Sequence, residues 1–177
     1  MVLVAILTIL PFALRVPDAV MRTIYPLRYE ETIREASEKN DLEPTFVAAV
    51  IYTESRFKPG VESHRDAYGL MQLLPQSASY IKRNSGIKGN YHDPKVNIEL
   101  GTWFLGYLND RYDGDERLML AAYNSGEGSV DAWTSKKGFD IQKDIPYEET
   151  RQYVDRALEA QQTYRDLYGK NLERSSG

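Results

Sequence analysis

Apolar residues recur at helical spacing along nearly the whole chain, whereas the strict alternation that marks a half-buried strand is almost absent. Several periodic segments also begin with residues that favour a helix start, namely Pro44, the pair Asp93-Pro94, Asp115 and Pro146. The predicted helices cover residues 29–39, 44–57, 70–84, 94–112, 115–122 and a long segment that begins at 146. The sequence therefore predicts a mainly α fold, in which helices pack on one another around one core.

Chain size and composition narrow the classes of protein further. The 177 residues suit one domain with a proper core and are too few for two. The net charge of −4 gives no basic surface of the kind that binds nucleic acid. The chain has no cysteine, which excludes a disulfide framework, thiol catalysis and cysteine-ligated zinc. We expect a single domain that is monomeric and does not bind nucleic acid.

Residues 2–14 form the one segment that does not fit a soluble domain, because they are almost all apolar. Their number suits the core of a signal peptide better than a membrane span, which needs about 20 apolar residues. No basic residue precedes the run and no clear cleavage site follows it, so Met1 could be an internal start; a buried N-terminal helix is the alternative. We expect a signal or membrane-anchor segment with its linker over 1–27, a folded domain over 28–170 outside the membrane, and a disordered tail over 171–177.

Glu54 is a carboxylate at a position where apolar residues are expected. Phe46, Val47, Val50 and Ile51 form an apolar stripe on the second predicted helix, and the spacing puts Glu54 on the same stripe. Burial disfavours the charged form of a carboxyl group, so we expect a raised pKa, which is the property of a general acid near neutral pH. The alternative is a glutamate that bends into solvent or caps a neighbouring backbone group. Position alone leaves both interpretations open.

Four short strings add to the evidence from Glu54. They are Glu54-Ser55-Arg56-Phe57, Gly69-Leu70-Met71-Gln72-Leu73-Leu74-Pro75, Ala121-Ala122-Tyr123-Asn124-Ser125-Gly126 and Glu149-Thr150-Arg151-Gln152-Tyr153. Their order and spacing resemble those of the soluble-type (SLT) lytic transglycosylases, which are lysozyme-like enzymes that cleave bacterial peptidoglycan. The resemblance covers about residues 29–168, and four strings in this order over about a hundred residues are far more specific than any one of them.

The resemblance implies a fold and a reaction. The fold is a mainly α, lysozyme-like single domain of the goose-type lysozyme and transglycosylase kind, which makes 28–170 the catalytic domain. The reaction cleaves the β-1,4 bond between N-acetylmuramic acid and N-acetylglucosamine and leaves 1,6-anhydromuramoyl ends, with Glu54 as the single acid and base. The implied substrate is the peptidoglycan glycan strand, and no cofactor or metal is implied. The protein would then act in the cell envelope, secreted or held at the membrane by its N-terminal segment.

Two further residues of the motifs acquire roles beside Glu54. The resemblance puts the Tyr153 hydroxyl next to the catalytic glutamate, where a phenol can orient the carboxyl group without adding charge. It gives Glu149 a supporting role. Capping is an equally good interpretation of Glu149, because a carboxylate is stabilised at the start of a helix.

The resemblance also implies which residues line a sugar-binding groove. The set comprises Ser63, Met71, Gln72, Tyr123 and Asn124. Hydroxyl and amide groups suit the hydroxyl and N-acetyl groups of the substrate, and a tyrosine ring can pack on a sugar face. A plain core role is equally plausible for Met71.

The chain departs from the family pattern at two places. Between Ser63 and Gly69 the family commonly has proline after the serine and a glycine before the alanine, and Ser125 stands where alanine is commoner. The first departure concerns the fine geometry of the groove and leaves the reaction class unchanged.

Two other functions remain open on the same fold. A true muramidase would hydrolyse the same bond with water, and Asp66 or Glu149 could then serve as the second carboxylate. A wall-binding module would hold glycan without cleaving it, although binding alone needs neither Glu54 nor Tyr153. Metal catalysis has weak support, because the only two histidines, His64 and His92, belong to no zinc-binding motif.

Overall fold

The structure, a computed structural model, describes residues 16–172. Helices dominate this range, as the sequence predicted. They are α1 (Asp18–Ile24), α2 (Glu30–Lys39), α3 (Pro44–Ser55), α4 (Pro75–Ser85), α5 (Pro94–Arg111), α6 (Glu116–Ser125), α7 (Glu127–Thr134) and α8 (Glu148–Leu172). Within the described range the only β-pairing consists of two isolated bridges, Glu62 with Tyr68 and Tyr68 with Leu73.

Helix α3 forms the centre of the core. It starts with Pro44 in its first turn, and its residues from Phe46 to Ile51 are at most 2% exposed. The sequence predicted a single apolar stripe, but α3 is buried on nearly all sides because α2 and α8 both pack against it. A helix that is apolar all round is typical of a central position.

The chain turns sharply where α3 ends. Arg56 and Phe57 both have left-handed backbone conformations, with φ of 53° and 60°. The loop that follows runs to α4, which begins at Pro75 rather than near residue 70 as predicted. The correction has a physical cause: Tyr68 and Leu73 exchange two backbone hydrogen bonds of 3.0 Å, and the tight turn between them requires positive φ at Gly69 and Gln72.

The two predicted aspartate caps are confirmed. The Asp93 side chain accepts hydrogen bonds from the backbone N–H groups of Lys95 and Val96 at the start of α5. Asp115 does the same for Arg117 and Leu118 at the start of α6. Each cap satisfies backbone donors that the first turn of a helix leaves free.

At both ends of the described range, the folded part of the chain extends further than the sequence suggested. The stretch expected to be a linker contains α1, and two hydrogen bonds join it to α8. The Tyr168 hydroxyl donates to the carbonyl of Tyr25 at 2.9 Å, and the Tyr164 hydroxyl donates to the carbonyl of Pro26 at 2.8 Å. Helix α8 continues to Leu172, which is 1% exposed, so 171 and 172 are not part of a tail.

The expected anchor core (2–14) and the remainder of the expected tail (173–177) lie outside the described residues. Within residues 16–172, no helix is both long enough and apolar enough to cross a membrane.

Candidate active site

Glu54 and Tyr153 meet where α3 packs against α8. Glu54 lies in the last turn of α3, and Tyr153 lies in the second turn of α8. The Tyr153 hydroxyl donates a hydrogen bond of 2.7 Å to Oε1 of Glu54. Because the Tyr153 side chain is 4% exposed and its hydroxyl is held by packing, this bond fixes the orientation of the carboxyl group.

The pKa of Glu54 is raised to about 7, chiefly because burial penalises the charged form of the carboxyl group. Two neighbours oppose this rise, since the Tyr153 hydrogen bond and the positive charge of Arg156 both favour the carboxylate. Near neutral pH the group therefore exists in comparable amounts of acid and carboxylate. Such a group can give up a proton and take one back within a reaction cycle.

A groove of about 360 Å³ opens beside Glu54. Its lining consists of Glu54, Ser63, His64, Arg65, Ala67, Gln72, Leu74, Tyr123, Asn124 and Glu149. Five of the residues predicted from the sequence, besides Glu54 itself, are thus brought together from four separate parts of the chain. His64, Arg65, Ala67 and Leu74 were not predicted.

The loop that carries Ser63 is braced by its own side chain. Ser63 Oγ accepts hydrogen bonds from the backbone N–H groups of Arg65 at 3.2 Å and Ala67 at 3.1 Å. The backbone N–H of Ser63 also donates to the carbonyl of Ala67 at 2.9 Å. These bonds close the loop without the proline and glycine that the family commonly has there, and the Ser63 hydroxyl hydrogen stays available as a donor.

Gln72 faces the groove with one end of its amide held in place. Its Nε2 donates to the carbonyls of Val61 at 3.0 Å and Gly69 at 2.9 Å. Both amide hydrogens are therefore used within the protein. No residue within 16–172 donates to the carbonyl oxygen of this side chain, so it can accept a hydrogen bond from a ligand.

Met71 lies beneath the groove rather than on its surface. The prediction that its side chain lines the site is not matched, because Met71 is fully buried against Thr102 and Gly101. The contact with Gly101 is so close that a Cβ at position 101 would lie 2.4 Å from the Met71 sulfur. What Met71 supplies is its backbone carbonyl, which accepts a hydrogen bond of 2.8 Å from the Tyr123 hydroxyl. This bond holds the Tyr123 ring in the groove wall.

Asn97 supports the same turn from below and was not predicted. Its side chain accepts from the backbone N–H of Met71 at 2.8 Å and donates to the carbonyls of Tyr68 at 3.1 Å and Tyr91 at 2.9 Å. A Cβ on Gly69 would lie 2.6 Å from the Asn97 amide nitrogen, so glycine is required there. The only sequence signal for Asn97 was a polar residue near the start of α5, one turn before Leu100 and Gly101.

Asn124 and Glu149 form the far wall of the groove. Asn124 accepts a hydrogen bond of 2.8 Å from the buried hydroxyl of Thr150, which fixes the amide, and its nitrogen donates to no residue within 16–172. Glu149 is exposed in the first turn of α8, and it is the only acidic residue besides Glu54 among those that line the groove. Asp66, the other candidate for a second carboxylate, is not among the lining residues.

Arg156 was missed by sequence reasoning, although its position carried a usable signal. It follows Tyr153 by three residues on α8 and therefore shares a helix face with it.

Within residues 16–172, no group of three or more histidine, aspartate or glutamate side chains is placed to hold a metal ion.

The chain is similar in sequence to several known proteins. Residues 31–145 match the family model described as the transglycosylase SLT domain. The soluble lytic murein transglycosylase of Escherichia coli K12 is 30% identical over 155 residues, which are 82% of this chain and 24% of that protein. The membrane-bound lytic murein transglycosylase C of Salmonella typhi is 37% identical over 116 residues, which are 58% of this chain and 32% of that protein.

Solved structures give the same result. The 70 kDa soluble lytic transglycosylase of Escherichia coli superposes with a TM-score of 0.80 at 29% identity, and an inactive mutant of the lytic transglycosylase Slt of Pseudomonas aeruginosa does so with 0.79 at 29%. Each match covers 84% of this chain and 26% of the solved chain. The predicted fold class, a mainly α lysozyme-like domain, is confirmed. The chain spans about a quarter of the length of these soluble relatives.

Proposed function

This chain belongs to the transglycosylase SLT domain family, and from that premise we propose that it is a peptidoglycan lytic transglycosylase. It cleaves the β-1,4 bond between N-acetylmuramic acid and N-acetylglucosamine and leaves 1,6-anhydromuramoyl ends. The observation that carries the proposal is the Glu54 carboxyl group, which has a pKa of about 7, is held by Tyr153 and faces the groove.

The first step needs Glu54 in its protonated form. The carboxyl group donates its proton to the glycosidic oxygen, and the bond between that oxygen and C1 of the muramic acid breaks with its electron pair on the leaving oxygen. The N-acetyl group of the substrate stabilises the positive charge that develops at C1. Glu54 is left as a carboxylate, which the Tyr153 hydroxyl and the Arg156 charge stabilise.

The second step returns the proton to Glu54. The carboxylate takes the proton of the substrate's C6 hydroxyl, and that oxygen forms a new bond to C1, which closes the 1,6-anhydro ring. No water is consumed and Glu54 ends the cycle protonated. A carboxyl pKa of about 7 suits both halves of the cycle, because neither protonation state is strongly disfavoured.

The polar groups around Glu54 are suited to holding the sugars. The amide oxygen of Gln72, the amide nitrogen of Asn124 and the Ser63 hydroxyl can bind N-acetyl and hydroxyl groups. The Tyr123 ring offers an apolar face beside them. Glu149 supports the wall of the groove from the first turn of α8 and takes no part in the proton transfers.

A hydrolytic muramidase is the principal competing function. Hydrolysis needs a water molecule that is positioned and activated to attack C1, and most glycosidases use a second carboxylate for this, either to activate the water directly or to form the intermediate that the water then hydrolyses. Glu149 is the only other acid in the groove lining and is exposed to solvent. A single acid of raised pKa, with Glu149 as an exposed neighbour, favours the transglycosylase, and the product decides between the two.

The test is mass spectrometry of the muropeptides that the protein releases from purified peptidoglycan. We expect products with anhydro ends, each one water lighter than its hydrolysed counterpart. The Glu54→Gln variant should bind peptidoglycan and release nothing, and Glu149→Gln, the matched change of the exposed groove carboxylate, should retain most of the activity. Reducing ends would establish a muramidase, and normal release by Glu54→Gln would remove Glu54 from the mechanism.

The same proposal locates the protein outside the cytoplasmic membrane, where peptidoglycan lies. The apolar run at 2–14 would direct export or anchor the folded domain, which we assign to residues 28–170 together with the α1 segment packed on α8. Deletion of residues 2–14 should leave the protein in the cytoplasm, as seen by fractionation against the intact chain. Unchanged export of the deletion variant would show that this run is not the targeting signal.

A further inference from the structure

A second cleft, separate from the groove, lies between the end of α2 and the middle of α5. It has a volume of about 360 Å³, similar to that of the groove, and shares no lining residue with it. Its floor is opened by Gly106, where any Cβ would come within 2.9 Å of the Asn40 Cβ. Glycine at 106 therefore lets Asn40 lie directly on α5 and shapes the cleft.

Two aromatic rings form one wall of this cleft. Trp103 and Tyr107 are one turn apart on α5, and their rings are within 9° of parallel with centroids 6.2 Å apart. At that separation nearly parallel rings are laterally offset, so that each leaves part of its face uncovered. Both side chains are half-buried, which holds the rings in place while exposing them to the cleft.

The rings also connect the cleft with the groove. Tyr107 stacks with Phe104 at 6.0 Å, and Phe104 packs against Tyr123 of the groove wall at 5.8 Å. A continuous row of aromatic side chains thus leads from the groove to Trp103. The two sites belong to one rigid part of the molecule, because Phe104 and Tyr107 are anchored on the same helix.

Unpaired polar groups surround the aromatic wall. The carboxylates of Glu38, Asp41 and Asp110 are exposed and form no ion pair with any residue in the described range. The Asn40 side chain donates to the carbonyl of Ala36 at 2.7 Å, and its amide oxygen has no partner among residues 16–172. The rim thus presents hydrogen-bond acceptors in excess, with Lys39 as the one cation in the lining.

We propose that the cleft of Trp103, Tyr107, Asn40 and Asp110 is a second glycan-binding site, which takes sugar units of the strand whose cleavage occurs at Glu54. Offset aromatic faces pack on sugar rings, and carboxylate and amide oxygens accept hydrogen bonds from sugar hydroxyls. The excess of carboxylates disfavours an anionic ligand. Because the substrate is a polymer, engagement of both sites raises affinity for long strands without changing the chemistry at Glu54.

This inference rests on the proposed function for the identity of the polymer, and it is tested first by direct binding. Oligomers of N-acetylglucosamine are titrated into the Glu54→Gln protein while the tryptophan indole N–H signals are followed by NMR. The chain has only two tryptophans. Trp133 lies on α7, is 5% exposed and does not line the cleft, so it serves as the internal control. We expect the Trp103 indole and the Asn40 amide to shift, and the Trp133 indole to stay unchanged.

The second test measures how tightly the Glu54→Gln protein sediments with intact peptidoglycan when Trp103 is changed. Trp103→Leu keeps an apolar side chain against the core but removes the ring face, and we expect it to weaken binding about five- to tenfold. Trp103→Phe, which restores a ring, should recover most of the affinity.

The outcomes separate the two proposals. If wild-type protein releases anhydro products and Trp103→Leu binds peptidoglycan as tightly as its parent, the second site is refuted and the proposed function stands. Shifts confined to groove residues, or a Trp103 response to a lysine-containing stem peptide but not to the sugar oligomer, would also refute it. If the protein releases nothing from peptidoglycan but the oligomer still shifts the Trp103 indole, the glycan site stands and the proposed activity falls.

Discussion

Replacement of Glu54 by glutamine should stabilise the protein against unfolding, and the gain should depend on pH. The pKa of this carboxyl group is about 7 in the folded protein and about 4.5 in the unfolded chain, where water solvates it. Between these two values the folded state holds one more proton than the unfolded state. The free energy of unfolding of the wild-type protein therefore falls as the pH rises through this window.

The size of the effect follows from the same two values. Each tenfold difference in proton affinity corresponds to about 1.4 kcal/mol, so a pKa that moves from 4.5 to about 7 costs the wild-type protein about 3 kcal/mol at pH 8. The glutamine variant has no proton to lose at this position. Its amide oxygen can also accept the hydrogen bond that the Tyr153 hydroxyl gives to Oε1 of Glu54.

Urea unfolding followed by circular dichroism, repeated from pH 4 to 8.5, measures the difference between variant and wild type. We expect a difference near zero at pH 4, a steady rise between pH 4.5 and 7, and a plateau of about 3 kcal/mol in favour of Glu54→Gln above pH 7.5. The control is Glu35→Gln, a matched change on the exposed side of α2. A difference that stays constant across the pH range, or a variant less stable than wild type at pH 8, would refute the idea that burial sets the state of this carboxyl group.

Three further changes test the surroundings of the same group. Tyr153→Phe removes a hydrogen bond that favours the Glu54 carboxylate, so the alkaline limb of the pH–activity profile, near pH 7 in the wild type, should move to higher pH. The value of kcat should also fall about tenfold. A limb that does not move would show that this hydrogen bond does not affect the pKa of Glu54. Arg156→Gln removes a positive charge that lowers the Glu54 pKa, so the alkaline limb should again move to higher pH, by an amount that decreases as salt is added. A shift to lower pH would contradict the effect that we ascribe to the Arg156 charge. Asn97→Ala leaves the buried backbone N–H of Met71 and the carbonyl of Tyr91 without the partner that Asn97 supplies, and it removes one of the two hydrogen bonds to the Tyr68 carbonyl. Urea unfolding should show a loss of about 3 kcal/mol, and a loss below about 1 kcal/mol would mean that the turn is held by other contacts.

Local features of the fold could be predicted because their causes lie within a few residues. The caps Asp93 and Asp115 bond to backbone groups two and three positions further on, so the sequence window that contains the cap also contains its partners. The helical periodicity of α2, α5 and α8 depends in the same way on neighbours three and four positions away. These elements were accordingly placed to within a few residues.

The features that were misjudged depend on distant partners. The turn from Gly69 to Leu73 contains apolar residues that resemble a helix, but Asn97 and Gly101 of α5 hold it in another conformation. The segment around α1 has the composition of a linker, and it is fixed by tyrosine hydroxyls of α8 more than a hundred residues away. Propensity is a weak guide where such contacts compensate for it.

Residue type, periodicity and motif order are all written along the chain, so the chemical groups, the helices that carry them and the family could be recognised without the structure. The sequence placed Glu54 toward apolar neighbours, but it could not state how strongly the carboxyl group is desolvated. That was decided by the packing of α3 against α8, which joins Glu54 to Tyr153 across 99 residues and desolvates the carboxyl group enough to raise its pKa. The cleft at Trp103 is likewise a product of tertiary structure alone, since solvation and cavity shape depend on which surfaces meet in space.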